Sequence, residues 1–462
     1  MKKNLFRLSA LQFLFFAFGA MLFITSCQKA SLQETTNEQS VEITTVDFLT
    51  VQKTILEYVF RIETKDLTDA QIDENYNELI KTIPIDEQEA LVKIVEEALI
   101  KQLEIPASAG IRSSSETLSN GIAQDDFGRS VFTVGNKVYV GAPGEQKVFE
   151  YKKTGGSYSL VGEITPTGMS DDFGYHVSVS GSWMAVSAPD FGQPFGRPGQ
   201  VFLFKKQGNS WVQKDVLNGP AGEVNFGGDG LVLQGTTLAT VSRGTGFPSP
   251  GGTISVYKKS GNNWTLDGSI FRPTFDWLAI DMNESGTRIA GTGFVGNFAG
   301  NVRASIFVKS GSDWVLEDDV FVTSPVPFGV ALPRDIAIDG NQMVLTALIP
   351  GSTHWVFNNN GGDWELEQEL NHPAGLPFTN RWADMHGGKI VIGAASGNNF
   401  LPDAVHVFEQ SGGTWDYTES LSGDGDDAIM WSVAISGNTI VAGLPGTGFP
   451  PTVASGKVVV FD

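Results

Sequence analysis

The sequence predicts an all-β protein, a seven-bladed β-propeller with four-stranded blades, preceded by a small three-helix segment. The first observation is an aromatic residue that recurs at a spacing of about 50 residues, at Tyr151, Phe204, Tyr257, Phe307, Phe357, Phe408 and Phe461. The second is that six of these are followed by another aromatic residue seven positions later. The third is that each repeat holds four short apolar runs bounded by turn residues, which is typical of antiparallel strands.

The clearest repeat spans residues 171–217, and we label its four predicted strands A to D in chain order. They cover residues 177–179, 183–186, 201–204 and 211–217. A sheet of this kind has two apolar faces and cannot bury both alone, so it requires neighbouring blades. A glycine at the predicted C–D turn of six repeats favours a tight hairpin with positive φ: Gly155, Gly208, Gly261, Gly311, Gly361 and Gly412.

Residues 1–26 are typical of a secretory signal peptide. A basic start with Lys2, Lys3 and Arg7 precedes an apolar stretch over residues 11–23, which is short for a membrane-spanning helix. The segment ends in Ile-Thr-Ser before Cys27 and resembles a bacterial lipobox, so Cys27 is the predicted lipidation site. The alternative is an ordinary cleaved signal with an incidental cysteine. Cys27 is the only cysteine, which excludes disulfides within one molecule.

The net charge of the mature chain limits the classes of partner that it can bind. Removing residues 1–26 takes three basic residues and no acidic one, so the formal net charge falls from −21 to −24. This charge argues against nucleic-acid binding, which needs clustered Lys and Arg, and against adhesion to anionic headgroups. Contact with the membrane is expected through the lipid anchor only. We therefore expect a lipid-anchored protein of the bacterial cell envelope, in the outer membrane or at the cell surface.

Two segments separate the anchor from the propeller. Residues 27–45 are rich in Gln, Ser, Thr and Glu and are predicted to be a flexible tether. Residues 46–105 show helical periodicity and form a small acidic helical domain, with capping-box spacing at Thr68 and Gln71 and at Asp86 and Glu89. This domain is either a docking element or a spacer beside the propeller. The propeller itself is assigned to residues 106–462.

The repeats carry a family resemblance. Asp125-Asp126-Phe127-Gly128 through Gly141-Ala142-Pro143, and the corresponding stretch from Asp171 to Pro189, resemble FG-GAP repeats. Such repeats build the seven-bladed propeller of integrin α subunits and of many bacterial surface proteins. The resemblance covers about residues 113–462; it is clear in the first two blades and weaker in later ones, where blades four and six lack the Phe-Gly element.

Calcium is not expected in spite of this resemblance. In the integrin family calcium binds an Asp-rich loop between the Phe-Gly and Gly-Ala-Pro strands. The corresponding turns here, such as Gly135-Asn136-Lys137 and Ser180-Gly181-Ser182, lack the closely spaced carboxylates that calcium requires. The acidic run at residues 424–427 precedes a strand A and is a weaker cation candidate, with a solvated turn as the alternative. No other metal site and no cofactor is predicted.

Enzyme motifs are sparse. The five histidines show no His-x-x-x-His pair, and no Gly-x-Ser-x-Gly motif occurs. The sequence therefore favours a non-catalytic binding or scaffolding module for a glycan or protein ligand. The alternative is a carbohydrate-active hydrolase or lyase with carboxylates gathered at the central opening, since propellers host both classes.

The chain end predicts how the ring closes. The last repeat stops after strand C at Asp462, so the seventh blade lacks its own strand D. An open blade would leave an unpaired edge. The segment Leu118-Ser119-Asn120-Gly121 resembles the ends of other D strands, such as Leu217-Asn218-Gly219. We therefore predict that residues 112–118 pair with residues 458–461.

The predicted working face carries the B–C loops and the D–A connectors. The opposite face has only short turns of Gly, Asn and Ser. Aromatic residues in the long loops are the predicted ligand-binding set, namely Phe191, Phe247, Phe294, Phe400 and Phe449. The alternative is that these rings pack against the blade tops. Acidic residues near the axis, Asp125 and Asp126 among them, predict an acidic face that favours a neutral or cationic partner.

Overall fold

The computed structural model describes most of the chain after residue 109. The described residues are 67–82, 110–113, 116–122, 125–168, 171–190, 198–245, 251–273, 275–295, 301–323, 332–348, 353–371, 380–394, 404–422, 431–445 and 455–462, with positions 49, 52, 53, 56, 88 and 92. Within these ranges, no helix is both long enough and apolar enough to cross a membrane. The predicted signal peptide and tether lie outside the described residues.

One helix, α1, spans Asp69–Ile80. It starts at the predicted capping box: the Thr68 hydroxyl accepts a hydrogen bond from the Gln71 backbone N–H, and the Gln71 side chain accepts one from the Thr68 N–H. Its buried face consists of Ile72, Tyr76 and Ile80. The predicted three-helix segment is not supported, because α1 is the one helix that the described residues outline there. The other predicted helical residues lie mostly outside the described part of the chain.

Thirty strands follow α1 in the described residues, and the first two precede the blades: β1 is Gly110–Ser113 and β2 is Glu116–Leu118. Blade one contains β3 (Ser130–Val134), β4 (Lys137–Ala142), β5 (Lys147–Thr154) and β6 (Ser157–Ile164), with a 3₁₀ turn at Pro143–Glu145. Blade two contains β7 (Val177–Ser180), β8 (Trp183–Ala188), β9 (Gln200–Gln207) and β10 (Ser210–Asn218). Blade three contains β11 (Glu223–Val224), β12 (Leu231–Gln234), β13 (Thr237–Gly244), β14 (Gly251–Ser260) and β15 (Asn263–Pro273).

The remaining four blades repeat this pattern. Blade four contains β16 (Phe275–Met282), β17 (Arg288–Val295), β18 (Asn301–Ser310) and β19 (Asp313–Thr323). Blade five contains β20 (Leu332–Asp339), β21 (Gln342–Leu348), β22 (Thr353–Asn360) and β23 (Asp363–Asn371). Blade six contains β24 (Asn380–His386), β25 (Lys389–Ala394), β26 (Ala404–Ser411) and β27 (Thr414–Ser422). Blade seven contains β28 (Ser432–Ser436), β29 (Thr439–Leu444) and β30 (Lys457–Phe461).

The seven antiparallel sheets form a closed ring. In blades one, two, four, five and six, strands A to D follow one another from the inside outward in chain order, as predicted. In blade three β12 to β15 do so, and β11 pairs with β13 as an additional strand. The innermost strands contact one another in the order β3, β7, β12, β16, β20, β24 and β28, and β28 contacts β3 again. The apolar clusters lie between adjacent blades, for example where Val131 and Val140 of blade one pack with Val441 and Val458 of blade seven. The all-β, seven-bladed prediction is confirmed.

Ring closure follows the prediction in its main part. Strand β2 pairs antiparallel with β30, with Glu116 opposite Val460 and Leu118 opposite Val458. It thus supplies the fourth strand of blade seven. The predicted pairing of residues 112 and 113 with the same strand is wrong. They belong to β1, which pairs parallel with β27 and adds a fifth strand to blade six.

The predicted turn glycines adopt the predicted backbone conformation. All six C–D glycines have φ between 60° and 75°. A Cβ added at any of them, for example at Gly155 or Gly208, would have open space around it. The requirement for glycine therefore comes from the left-handed backbone conformation and not from crowding.

Close backbone contact between blades explains the Phe-Gly and Gly-Ala-Pro elements. A Cβ at Gly141 would lie 2.0 Å from the carbonyl oxygen of Gly174 in the next blade. The same contact closes the ring, since a Cβ at Gly443 would lie 2.0 Å from the Gly128 oxygen. The phenylalanine before Gly128 or Gly174 is fully buried. The motif therefore lets the start of one blade lie directly on strand B of the blade before it.

The repeated D-strand aromatics belong to a second junction between blades. The backbone N–H of Trp264 donates to Asp215 of the previous blade, at 3.2 Å, and the N–H of Trp364 donates to Asp318, at 2.8 Å. At the closing joint, Glu116 of β2 accepts from the N–H of Tyr158 at 2.8 Å. Strand β2 thus reproduces the side-chain contact of a D strand as well as its pairing.

Candidate functional site

Most of the predicted ligand-binding aromatics cannot be placed. Phe191, Phe247, Phe400 and Phe449 lie outside the described residues, as does Cys27. The backbone of Phe294 belongs to β17 and pairs with Asp276 of β16. Its side chain is not among those described, so the aromatic set stays a prediction.

One of the predicted axial acidic residues, Asp125, has a structural function that the sequence did not reveal. Asp125 is 2% exposed, and its carboxylate accepts hydrogen bonds from the Phe127 N–H and the Asn120 side chain. It therefore stabilises the turn that opens blade one. Asp126 adopts φ 55° in the same turn. Asp125 does not contribute to a solvated acidic opening.

A cavity of about 410 Å³ lies on the propeller axis. All seven blades contribute to its wall through residues at or near the start of the innermost strand, including Arg129, Tyr175, Asp229, Leu278, Arg334, Trp382 and Trp431. These strand ends belong to the face that carries the B–C loops and D–A connectors. The cavity therefore lies on the face that the sequence analysis favoured, and its volume is within the usual range for small-ligand sites.

Arg129 contacts two aromatic rings at this cavity. Its guanidinium carbon lies 4.2 Å from the centre of the Tyr175 ring and 4.0 Å from the centre of the Trp431 ring. Both are cation–π contacts. The guanidinium also donates a hydrogen bond to the Tyr175 hydroxyl. Arg129, Tyr175 and Trp431 come from blades one, two and seven, so the cluster spans the joint where the ring closes.

A second arginine in the wall is neutralised. Arg243 donates two hydrogen bonds of 2.6 Å to the two carboxylate oxygens of Asp229. Nearby, burial and the positive charge of Arg129 lower the pKa of His176 to about 4, so this imidazole is neutral at physiological pH. Its Nε2 lies 3.3 Å from the carbonyl oxygen of Gly228.

Three aspartates near the axis connect successive blades. Asp281 accepts from the Ile338 N–H, Asp335 from the Ala383 N–H and Asp384 from the Ile435 N–H, each at 2.8 Å. Burial raises the pKa of Asp335 to about 7 and that of Asp384 to about 6, and it raises the pKa of Asp281 well above its usual value. These shifts result mainly from desolvation. Each acid also accepts from the backbone of the residue that follows it.

The two carboxylates in the cavity wall are fully engaged. Both oxygens of Asp229 bind Arg243, and the two oxygens of Asp335 accept backbone hydrogen bonds from Ile336 and Ala383. Glycoside hydrolysis requires two carboxyl groups directed at a substrate. Asp229 and Asp335 are directed at protein donors instead. In the part of the chain that is described, no group of three His, Cys, Asp or Glu side chains is placed to hold a metal ion.

Sequence reasoning missed this cavity although the repeats contain the signal for it. In blades one and two the position directly after the Phe-Gly element holds Arg129 and Tyr175. Superposing the repeats would place Trp382 and Trp431 near the same position in blades six and seven. Strand A is innermost in every blade, so its first residues meet at the axis. A single repeat does not reveal this, because each blade contributes only a few of these side chains.

These observations define the class: a seven-bladed β-propeller with an aromatic and arginine-lined cavity at one end of its axis. No protein-family model and no curated protein matches the chain. Among solved structures, a chain of the mitotic checkpoint complex is similar over 78% of this chain and 98% of its own, with 13% identity and a TM-score of 0.50. A candidate 6-phosphogluconolactonase of Bacteroides fragilis covers 66% of this chain and 86% of its own, with 13% identity and a TM-score of 0.46. Such low identities indicate the fold alone.

Proposed function

We propose that this protein is an envelope-anchored lipoprotein whose propeller is a non-catalytic binding module for a glycan or protein ligand. The ligand is bound on the B–C loop face, with the axial cavity at its centre. The observation that carries this proposal is the Arg129 cluster, in which a guanidinium fixed by Tyr175 and Trp431 faces a cavity of ligand size. Recognition residues on a rigid scaffold are typical of propeller binding proteins.

The state of the carboxylates favours binding over catalysis. The raised pKa of Asp335 is the observation that supports a hydrolase or lyase, because a general acid needs a pKa near the working pH. Its two oxygens, however, accept backbone hydrogen bonds, one of 2.8 Å from Ala383 that connects blades five and six and one of 2.9 Å from Ile336 in its own strand. A carboxyl group held in this way has a structural role in the propeller. A hydrolase or lyase is therefore the second candidate function.

The proposed lipid anchor and the proposed relationship to FG-GAP propellers are based on sequence features. The Ile-Thr-Ser-Cys sequence that ends at Cys27, after an apolar stretch, supports a lipoprotein of the outer membrane or cell surface. The Phe-Gly and Gly-Ala-Pro elements support a relationship to FG-GAP propellers. The inter-blade contacts of Gly128, Gly141 and Gly174 give that motif a physical reason.

Replacing Cys27 with alanine is expected to release the protein from membranes or to leave an uncleaved precursor. Two acyl chains on this cysteine provide stable anchoring where one would be marginal. Membrane fractionation and gel mobility measure the outcome, with wild type as the reference. Unchanged fractionation and mobility of Cys27→Ala would refute lipidation at this residue.

Replacing Trp431 with alanine is expected to weaken ligand binding by about 1–3 kcal/mol, the range for a buried aromatic contact. The measurement is binding of the signal-free mature chain to a glycan array and a small-molecule library. Phe321→Ala is the matched control, because Phe321 is 57% exposed on the outermost strand of blade four. Phe247→Ala, Phe294→Ala and Phe449→Ala test the loop aromatics in the same assay. Ligands that bind wild type and Trp431→Ala equally well would refute the cavity as the site.

A further inference from the structure

We propose that the axial cavity selects a sugar that carries a carboxylate, and that Arg129 holds this carboxylate in the plane of its guanidinium group. This inference rests on the proposed function and names the ligand class of the same site. It reverses the partner charge that the acidic residues near the axis suggested. Four features of the cavity lead to it.

The first feature is the confinement of Arg129. Two aromatic rings contact its guanidinium group, with ring centres 4.2 Å and 4.0 Å from the guanidinium carbon, and so restrict the orientation of the group. One of them is bound to the Tyr175 hydroxyl. An arginine presents five N–H donors in a fixed planar arrangement that matches the two oxygens of a carboxylate. Because the two rings and the Tyr175 hydroxyl already restrict the side chain, less side-chain entropy remains to be lost on binding.

The second feature is the absence of an acidic partner. Among the described residues, no Asp or Glu oxygen lies within ion-pair distance of Arg129, whereas Arg243 is paired with Asp229. Asp126 is an acidic residue that feels the charge of Arg129. Burial raises its pKa, and the charge of Arg129 acts on it without a direct ion pair. A positive charge at a ligand-sized cavity with only neutral groups in contact is suited to an anion.

The third feature is the charge of the wall. Arg129, Arg243 and Arg334 face two acids, Asp229 and Asp335. His176 is neutral and adds no charge. By formal count the wall thus holds three basic and two acidic side chains, in a chain of formal net charge −21. Basic residues concentrated at a cavity of an acidic protein favour the binding of an anionic ligand there.

The fourth feature is the aromatic content. Trp382 and Trp431 lie in the wall at neighbouring blades. Aromatic rings supply apolar area beside the polar anchor, as in sites for small ligands with one apolar side. A sugar ring has such a side, and a uronic acid combines it with a carboxylate. The volume of about 410 Å³ suits a terminal sugar or a free monosaccharide rather than a long polymer segment.

Arg129 also connects three blades, so the experiment must separate binding from stability. The test uses the full chain in detergent and titration calorimetry with methyl glucuronide and methyl galacturonide. Their neutral counterparts, methyl glucoside and methyl galactoside, are the matched ligands. We expect wild type to bind at least one acidic sugar tenfold or more tightly than its neutral counterpart.

Two Arg129 variants and one control complete the design. Arg129→Gln is expected to lose at least tenfold in affinity for the acidic sugar, to the level of its neutral counterpart. Arg129→Lys keeps the charge but not the planar pair of donors, and is expected to lie between wild type and Arg129→Gln. If Arg129→Gln fails to fold, the affinity of Arg129→Lys for the acidic sugar is the test. Lys152→Gln removes one exposed positive charge from blade one and should bind like wild type.

The outcomes distinguish this inference from the proposed function. Equal affinity for acidic and neutral sugars, or an acidic preference that survives in Arg129→Lys and Arg129→Gln, overturns the inference. So does the absence of binding by both acidic sugars. In each case the proposed function still stands if another ligand depends on Trp431. If library screening finds no ligand that depends on Trp431, the proposed function fails as well.

Discussion

A chain that begins at Gly121 is expected to melt at a temperature on the order of 10 °C below that of a chain that begins at Pro106. The shorter chain lacks β2, so β30 becomes an open edge. It loses the burial of Leu118, which is 4% exposed, at about 2 kcal/mol. It also loses the pairing with Val458–Val460 and the Glu116 hydrogen bond to Tyr158, at about 1 kcal/mol for each hydrogen bond.

A third chain separates ring closure from the added strand of blade six. A chain that begins at Ser114 lacks β1 but keeps β2. We expect it to melt close to the chain that begins at Pro106, because β1 adds only a short parallel edge to β27. Differential scanning calorimetry compares the three. If the chain that begins at Gly121 melts with the other two, β2 does not close the ring.

Glu150→Ala is expected to lower the free energy of unfolding by about 3–5 kcal/mol, the range for breaking a buried ion pair. The Glu150 side chain is 2% exposed and binds Lys137 at 2.7 Å and Lys206 of the next blade at 2.6 Å. It also accepts a hydrogen bond from the Trp211 indole at 3.1 Å. Its removal leaves two ammonium groups without an acceptor between blades one and two.

A surface pair gives the matched control for Glu150. Glu409 is 43% exposed and binds Lys389 at 2.7 Å, so Glu409→Ala should cost no more than about 1 kcal/mol. Urea unfolding measures both variants. Similar decreases in the free energy of unfolding for the two variants would contradict a larger contribution from the buried carboxylate.

The stabilising effect of Glu150 should also depend on pH. Burial raises its pKa, but hydrogen bonds from Lys137 and Lys206 outweigh burial and hold the pKa below the ordinary value of 4.5. Its contribution to stability is therefore present above pH 4.5 and decreases as the pH falls through the lowered folded pKa. The difference between wild type and Glu150→Ala should narrow over that acidic range.

The blades could be predicted because their determinants are local and repeated. Gly208 and its counterparts require positive φ within a single hairpin, and alternating apolar residues define each strand without reference to the rest of the chain. The pairing of strand β2 could also be predicted, because the missing fourth strand of blade seven has to come from another part of the chain. Strand β1 carries no repeat pattern in its four residues, so its pairing with β27 left no signal.

The site was harder to predict because its residues are far apart in the chain. Arg129 and Trp431 meet only when the ring closes, and their cation–π contact depends on the last blade lying beside the first. Aromatic residues in glycine-rich long loops, such as Phe247 and Phe449, are typical of a binding surface. A single arginine after a Phe-Gly element carries no comparable sequence signal. The burial of Asp125 could not be predicted either, because an Asp-Asp pair in a turn gives no sign of which side chain is enclosed.

Fluorine NMR of the protein labelled with 5-fluorotryptophan tests most directly whether the axial cavity is the binding site. The chain has 10 tryptophans, so one spectrum reports on the cavity and the outer strands together. During titration with methyl glucuronide or methyl galacturonide, we expect the resonances of Trp382 and Trp431 to shift. Those of Trp264 and Trp364, buried between outer strands at 5% and 4% exposure, should stay in place. A bound sugar that shifts the outer resonances and leaves Trp382 and Trp431 unchanged would contradict binding at the axial cavity.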